Sequence, residues 1–321
     1  MFKMSTHTSV NNFFALQGLR LLSKLAAAAG QGDEAARLAA AAAELNATIF
    51  NHMWDENATA FCDGACEEVG GRCGVTTAAW ALYTGALPPR GLASAWARLQ
   101  QWGLEGFGDY GAFIFLQALN AYPEGDGGEA ALEALTKCDK DSWCAEIRDF
   151  NATMTRESWG GGTCKFYREP PRVPKTNAPK NKPKPKPYHS LNPNQTDSHP
   201  WGTAAVVGVV GGLLGVQQTA PAWGAFTVQP RLGGLAHAAL KIATPRGPID
   251  VTANATHTML RGPCGAAATL CVAHGGRAPG AARVWLDGVE VEGAVWRPRH
   301  ACVERVGCGA AGAPRVLAVE A

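Results

Sequence analysis

No run of about 18 apolar residues occurs in the 321-residue sequence, so no transmembrane helix is expected. Excess charge of one sign is also missing. Lys and Arg total 29 against 27 Asp and Glu, a net +2, which gives no electrostatic case for binding nucleic acid. The opening residues, Met1-Phe2-Lys3-Met4-Ser5-Thr6-His7-Thr8, lack the apolar stretch of about 7–15 residues that a signal peptide needs. No Cys-x-x-Cys pair is present and no spaced histidine pair lies near a cysteine, so no metal site is expected. Charged residues are few, at 17%, against 46% apolar. A chain of that balance buries a core and is not disordered. Its length suggests two domains.

Cysteine, by contrast, is plentiful. The ten cysteines fall largely in close groups: Cys62, Cys66 and Cys73; Cys138 and Cys144; Cys264 and Cys271; Cys302 and Cys308, with Cys164 apart. An even count in local clusters is the pattern that short-loop disulfides leave. Five Asn-x-Thr sequons point to the same compartment: Asn46, Asn57, Asn151, Asn194 and Asn254. These are features of a secreted or secretory-pathway protein, set beside an N-terminus with no secretory signal.

The first half reads as paired helices. From Asn11 to Ala29 the apolar residues Phe13, Leu16, Leu19, Leu22 and Leu25 recur at helical spacing, and Gly30-Gln31-Gly32 breaks the pattern. A second helix opens at Asp33 and passes Leu38, Ala42, Leu45 and Ile49 to about Trp54, completing an αα-hairpin. A Cys- and Gly-rich loop follows. Further helices are predicted over Thr76–Thr84, Arg90–Trp102, Tyr110–Ala121, Glu129–Thr136 and Trp143–Phe150. Asp109 is placed to cap the third of these five.

Residues 170–194 differ in kind. Alternating Lys and Pro, as in Lys182-Pro183-Lys184-Pro185-Lys186-Pro187, favour a solvated polyproline II chain, read as an exposed insertion. A helix is predicted to restart at Asp197-Ser198-His199-Pro200-Trp201 and run to about Leu214. After Ala220 the period changes to two. Short strands are predicted at 225–228, 238–242, 249–253, 258–260, 269–273, 282–286, 301–305 and 316–319, separated by Gly and Pro turns. The fold class is therefore α+β and multidomain: helix hairpins over 1–219, then an antiparallel β-sandwich over 220–321.

Four motifs follow one another along this frame: Thr153-Met154-Thr155-Arg156-Glu157-Ser158-Trp159, Ser198-His199-Pro200-Trp201-Gly202-Thr203-Ala204, Val228-Gln229-Pro230-Arg231-Leu232-Gly233-Gly234-Leu235, and Thr244-Pro245-Arg246-Gly247-Pro248-Ile249. In this order they resemble the C-terminal half of the inverting α-L-rhamnosidases of glycoside hydrolase family 78, from about Thr6 to about Ala253. The resemblance implies the second part of an (α/α)6 toroid plus its C-terminal β-sandwich. It implies hydrolysis of terminal α-L-rhamnose from a glycan or glycoside, with no cofactor. Glu157 matches the general base, Trp159 and Trp201 match aromatic positions of the sugar site, and His199 matches its substrate-site histidine. Inversion needs two carboxyls about 6.5–9.5 Å apart, one activating water and the other protonating the leaving oxygen. Indoles suit such a site because the C–H faces of a pyranose pack on them.

Two departures stand out. Arg156 replaces the tryptophan frequent before the base, and its charge would lower the pKa of the Glu157 carboxyl. The family's general acid lies in a segment that would precede residue 1, and no position here inherits it. The expectation is a truncated chain with half a ring, an exposed apolar face and one of two catalytic carboxylates. Two other readings follow: a non-catalytic carbohydrate-binding remnant, or another α/α-toroid glycosidase or helical scaffold.

Overall fold

A computed structural model describes residues 7–122, 125, 127–139, 142–150, 200–278, 281–309 and 312–320, with backbone alone for residues 109, 149, 150, 200 and 201. The first hairpin pairs α1 (Ser9–Ala28) with α2 (Gly32–Met53). Their inner faces are the apolar positions at 3.6-residue spacing. Phe13 and Leu16 of α1 are fully buried, against Leu38, Ala42, Ile49 and Met53 of α2. A short antiparallel ladder, β1 (Trp54–Asp55) with β2 (Ala60–Phe61), closes the end of this hairpin. Phe61 there meets Phe13 edge-on at 5.2 Å and Trp54 at 5.1 Å.

After the one-turn α3 (Cys66–Val69), a second hairpin joins α4 (Val75–Thr84) to α5 (Pro89–Trp102). Pro89 occupies the first turn of α5, where its missing N–H costs nothing. The start of α4 is capped from outside. The Asp63 carboxylate accepts hydrogen bonds from the Gly74 N–H at 2.7 Å, the Thr77 hydroxyl at 2.8 Å and Arg72 Nε at 2.8 Å. The third hairpin is α6 (Asp109–Leu119) with α7 (Gly127–Thr136). The N-cap of α6 is Gly108, one residue before the predicted Asp109. α6 is the axis of the helical core, with Ala112, Ile114, Phe115, Leu116, Ala118 and Leu119 all buried.

One face of α1 stays largely exposed among the described residues, with Phe14 meeting Trp80 edge-on at 5.6 Å. Phe14, Leu21, Leu22 and Leu25 of α1 are 51–65% exposed. With Gly18 between them, Phe14, Leu21 and Leu25 share one side of the helix.

The run predicted as one helix to Leu214 is three shorter turns: a 3-10 turn over Pro200–Thr203, α9 (Ala204–Val207), and a π-type turn over Gly208–Leu213. Gly208, Gly211 and Gly212 weaken the α ladder here. The chain then enters β3 (Val216–Gln218), β4 (Ala225–Val228), β5 (His237–Ile242), β6 (Ile249–Asn254), β7 (His257–Arg261), β8 (Ala267–Ala273), β9 (Arg283–Leu286), β10 (Val289–Glu290), β11 (Val295–Trp296), β12 (His300–Val306) and β13 (Arg315–Glu320).

These strands form two sheets, ordered β10-β9-β13-β7-β6-β5 and β11-β12-β8-β4-β3. Among the described residues, every pairing in these two sheets is antiparallel except β4 with β8, which is parallel. Alternation sets the faces: on β6, Ile249, Val251 and Ala253 point into the core and the residues between them do not. The Thr244–Gly247 turn makes the β5–β6 hairpin, pairing Ile242 with Ile249.

Four disulfides are present among the described residues. Cys62–Cys66 and Cys138–Cys144 are the short loops expected. The sandwich pairs cross instead between groups, as Cys264–Cys308 and Cys271–Cys302. The reason is strand order. β8 and β12 are antiparallel neighbours with Cys271 opposite Cys302, so residues distant in sequence are adjacent in space.

Candidate active site

Glu157, Trp159 and His199 lie outside the described residues, and of Trp201 only the backbone is described. The structure does define what flanks them. On the N-terminal side stands α8 (Trp143–Phe150). Ser142 caps it, its hydroxyl accepting the Ala145 N–H at 3.1 Å. The Cys138–Cys144 bridge and a bond from Arg148 Nη1 to the Cys138 carbonyl at 2.8 Å fix its orientation. Ala145 and Glu146 face inward, while Ile147 and Arg148 face solvent.

On the C-terminal side stands the Pro200–Thr203 turn, which carries the Trp201 backbone. The two flanks are joined directly: Trp143 Nε1 donates to the Gly202 carbonyl at 2.7 Å. The start of α8 and the Pro200–Thr203 turn are therefore in direct contact. Behind the turn, Gly208 lies against Leu116 and Leu135, so the π-type turn it opens is seated on α6 and α7.

The third motif is the junction between helices and sandwich. Val228 is buried in the sandwich core. Arg231 N–H donates to the Leu213 carbonyl at 2.7 Å, and Gln229 N–H to the Gly215 carbonyl at 3.1 Å. Gly128 on α7 permits the approach: a Cβ there would stand 1.9 Å from the Arg231 carbonyl oxygen. Gly215, at φ +61°, is equally constrained by the Gln229 carbonyl.

His300 of β12 locks this segment. Its Nε2 donates to the Pro230 carbonyl at 2.6 Å, and its Nδ1 then accepts from Gln229 Nε2 at 3.2 Å. Arg297 Nη1 reaches Gln229 Oε1 at 3.4 Å. Burial pushes the His300 pKa down to about 4, with Arg231, His274 and Arg297 adding repulsion against the bond to Pro230. The imidazole is thus neutral near pH 7. Sequence reading had no access to this lock, because His300 and Gln229 are 71 residues apart. It likewise passed over Glu146, a buried carboxylate on α8 at 3% exposure.

An open cleft of about 700 Å³ lies between α1, α2 and α4, lined by Arg20, Lys24, Asn46 and Tyr83 among others. It includes no residue of α8 or of the Pro200–Thr203 turn. Among the described residues, no group of three His, Cys, Asp or Glu side chains is placed to hold a metal.

Successive helix hairpins, a glycine-rich turn and a two-sheet sandwich locked to the helices make up the architecture of a six-hairpin glycosidase. The chain belongs to the bacterial α-L-rhamnosidase family: the bacterial alpha-L-rhamnosidase 6 hairpin glycosidase domain matches residues 1–187, more than half of the sequence, and the C-terminal domain of the same family matches residues 215–279. Solved structures share the fold. The α-L-rhamnosidase from Dictyoglumus thermophilum superposes with a TM-score of 0.67 at 14% identity, over 96% of this chain and 31% of its own. The Streptomyces avermitilis α-L-rhamnosidase, solved with L-rhamnose, gives 0.62 at 15% identity over 96% of this chain and 26% of its own. The Aspergillus terreus enzyme gives 0.57 at 18% identity over 91% and 29%. The chain thus spans less than a third of each of these proteins. No curated protein is a significant match.

Proposed function

We propose that the chain acts in the hydrolysis of terminal α-L-rhamnose from a glycan or glycoside, with inversion and in an oxidising, secretory compartment. The observation that carries this reading is the family match over residues 1–187, which includes the Glu157 motif. The four disulfides support the compartment. Glu157 takes a proton from water as that water attacks the anomeric carbon and the glycosidic bond breaks. A carboxylic acid not assigned in this chain protonates the leaving oxygen. Trp159 and Trp201 pack on the sugar, and His199 hydrogen-bonds its hydroxyls. The chain divides into a helical domain over 1–219 and a sandwich over 220–321. β3, at the end of the first, pairs with β4 of the second and ties the two together.

The test is release of L-rhamnose from an aryl α-L-rhamnoside, followed by NMR of the first-formed anomer. Glu157→Gln should lower the rate by about 100-fold or more. A loss within about threefold removes Glu157 from the base role. Assignment of only one carboxylate favours a second reading, sugar binding without turnover. Calorimetry with L-rhamnose separates the two: binding that weakens in Trp201→Ala, with no product formed, supports the second.

A further inference from the structure

We propose that Asn254 is an N-glycan acceptor and that the sequon at Asn46 is not. The motif is present at both, but the fold treats them in opposite ways. Asn254 ends β6, at the tip of the β6–β7 hairpin, and is exposed. The tip is a tight Asx turn: Asn254 Oδ1 accepts the Thr256 N–H at 2.9 Å and the His257 N–H at 2.8 Å. Thr256 Oγ1 also lies 3.3 Å from that oxygen and 2.8 Å from His257 Nδ1. With Nδ1–H donating to Oγ1, the threonine proton is directed to Asn254 Oδ1. The hydroxyl that defines the sequon is thus already at the acceptor amide, and the described bonds of that side chain all go to oxygen rather than Nδ2. The hairpin tip is also held by the β13 strand, where Val319 N–H donates to the Thr256 carbonyl at 3.1 Å.

Asn46 sits inside helix α2, half-buried, with its Oδ1 buried among α1, α2 and α4. A branched, hydrated sugar there would separate the first hairpin from α4. Asn57 is exposed in the β1–β2 turn, but its sequon hydroxyl, Thr59 Oγ1, donates to the Ala58 carbonyl instead.

The ligand is an oligosaccharide carried on a lipid pyrophosphate and delivered by a transferase of the secretory pathway. Asn254 Nδ2 attacks the anomeric carbon of the first sugar and the C1–O bond to phosphate breaks. The lipid pyrophosphate leaves with the bonding electrons, and the amide gives up one proton. The proposal rests on the compartment reading above.

The experiment is secretion of the full chain, behind a cleavable leader, from a eukaryotic host. Glycopeptide mapping would be combined with alkylation of free thiols. Asn254 should be occupied, above Asn57, with Asn46 bare. Asn254→Gln and Thr256→Ala should each remove the modification at 254, and Thr256→Ser should keep it. An unmodified Asn254 in secreted chain, or Asn46 occupied as fully as Asn254, overturns the proposal. The alkylation result stands apart: free thiols at Cys271 and Cys302 beside an occupied Asn254 would defeat the compartment reading and leave the acceptor site intact.

Discussion

The helical and sheet regions of this chain bury apolar surface in different ways. In the sandwich, the inner residues of both sheets meet each other: Val228, Ile249, Leu270 and Leu317 are at 0% exposure. Two disulfides then stitch β8 to β12 and its flanks. In the helical region, α6 is enclosed but α1 keeps Phe14, Leu21 and Leu25 in solvent. Its described disulfides close loops of only a few residues. Covalent restraint is therefore concentrated where packing is already complete. The helices rely on caps and on seams with neighbours.

The largest expected effect tests that asymmetry. In the chain-entropy account, a bridge spanning 31 residues stabilises by roughly 4 kcal/mol and one spanning four residues by roughly 2 kcal/mol. Cys271→Ala/Cys302→Ala should thus lower stability about twice as much as Cys62→Ala/Cys66→Ala, measured by urea unfolding. Equal losses would break the contrast between the halves.

Next comes the junction. The folded pKa of His300 is depressed to about 4 from an ordinary 6.5. Between these values the unfolded chain binds a proton that the native chain refuses, so native stability is full above about pH 6.5 and falls as pH drops toward 4. The loss should reach about 3 kcal/mol. His300→Gln should flatten this part of the profile while lowering stability at pH 7. An unchanged slope would place the titration elsewhere.

Asp63 is the helical counterpart, a cap supplied from a neighbouring loop. Asp63→Ala strips acceptors from the Gly74 N–H and the Thr77 hydroxyl, for an expected loss of about 1–3 kcal/mol in thermal unfolding. Asp63→Asn should recover part of it, because the amide oxygen still accepts.

Much of this architecture is legible in the residues, and the limits have physical causes. Helix ends follow local punctuation such as Gly30, Gly85 and Pro88-Pro89, and the core strands follow alternation, as on β6. β3, β10 and β11 are two or three residues long and show no period. The parallel β4–β8 pair and the crossed disulfides depend on strand order, which spacing along the chain does not encode. At the site, Glu157, Trp159, His199 and Trp201 are proposed by resemblance of their motifs. The structure adds the flanks and the Trp143–Gly202 bond, a contact between residues 59 apart that no local pattern contains.

The smallest expected effect lies on α1. Leu25 is 65% exposed, while Leu16 on the opposite side is fully buried. Exposed leucine gives up little when it becomes polar, so Leu25→Glu should change the stability of the 321-residue chain by no more than about 0.5 kcal/mol. Leu16→Glu places an unpaired carboxylate in the core and should prevent folding. Leu25→Glu should also reduce binding of a hydrophobic dye, because the substitution interrupts the Phe14–Leu21–Leu25 stripe. A loss above about 1 kcal/mol with unchanged dye binding would mean that another part of the protein already covers α1. The contrast between a closed sandwich and an open helical face would then fail at its most exposed point.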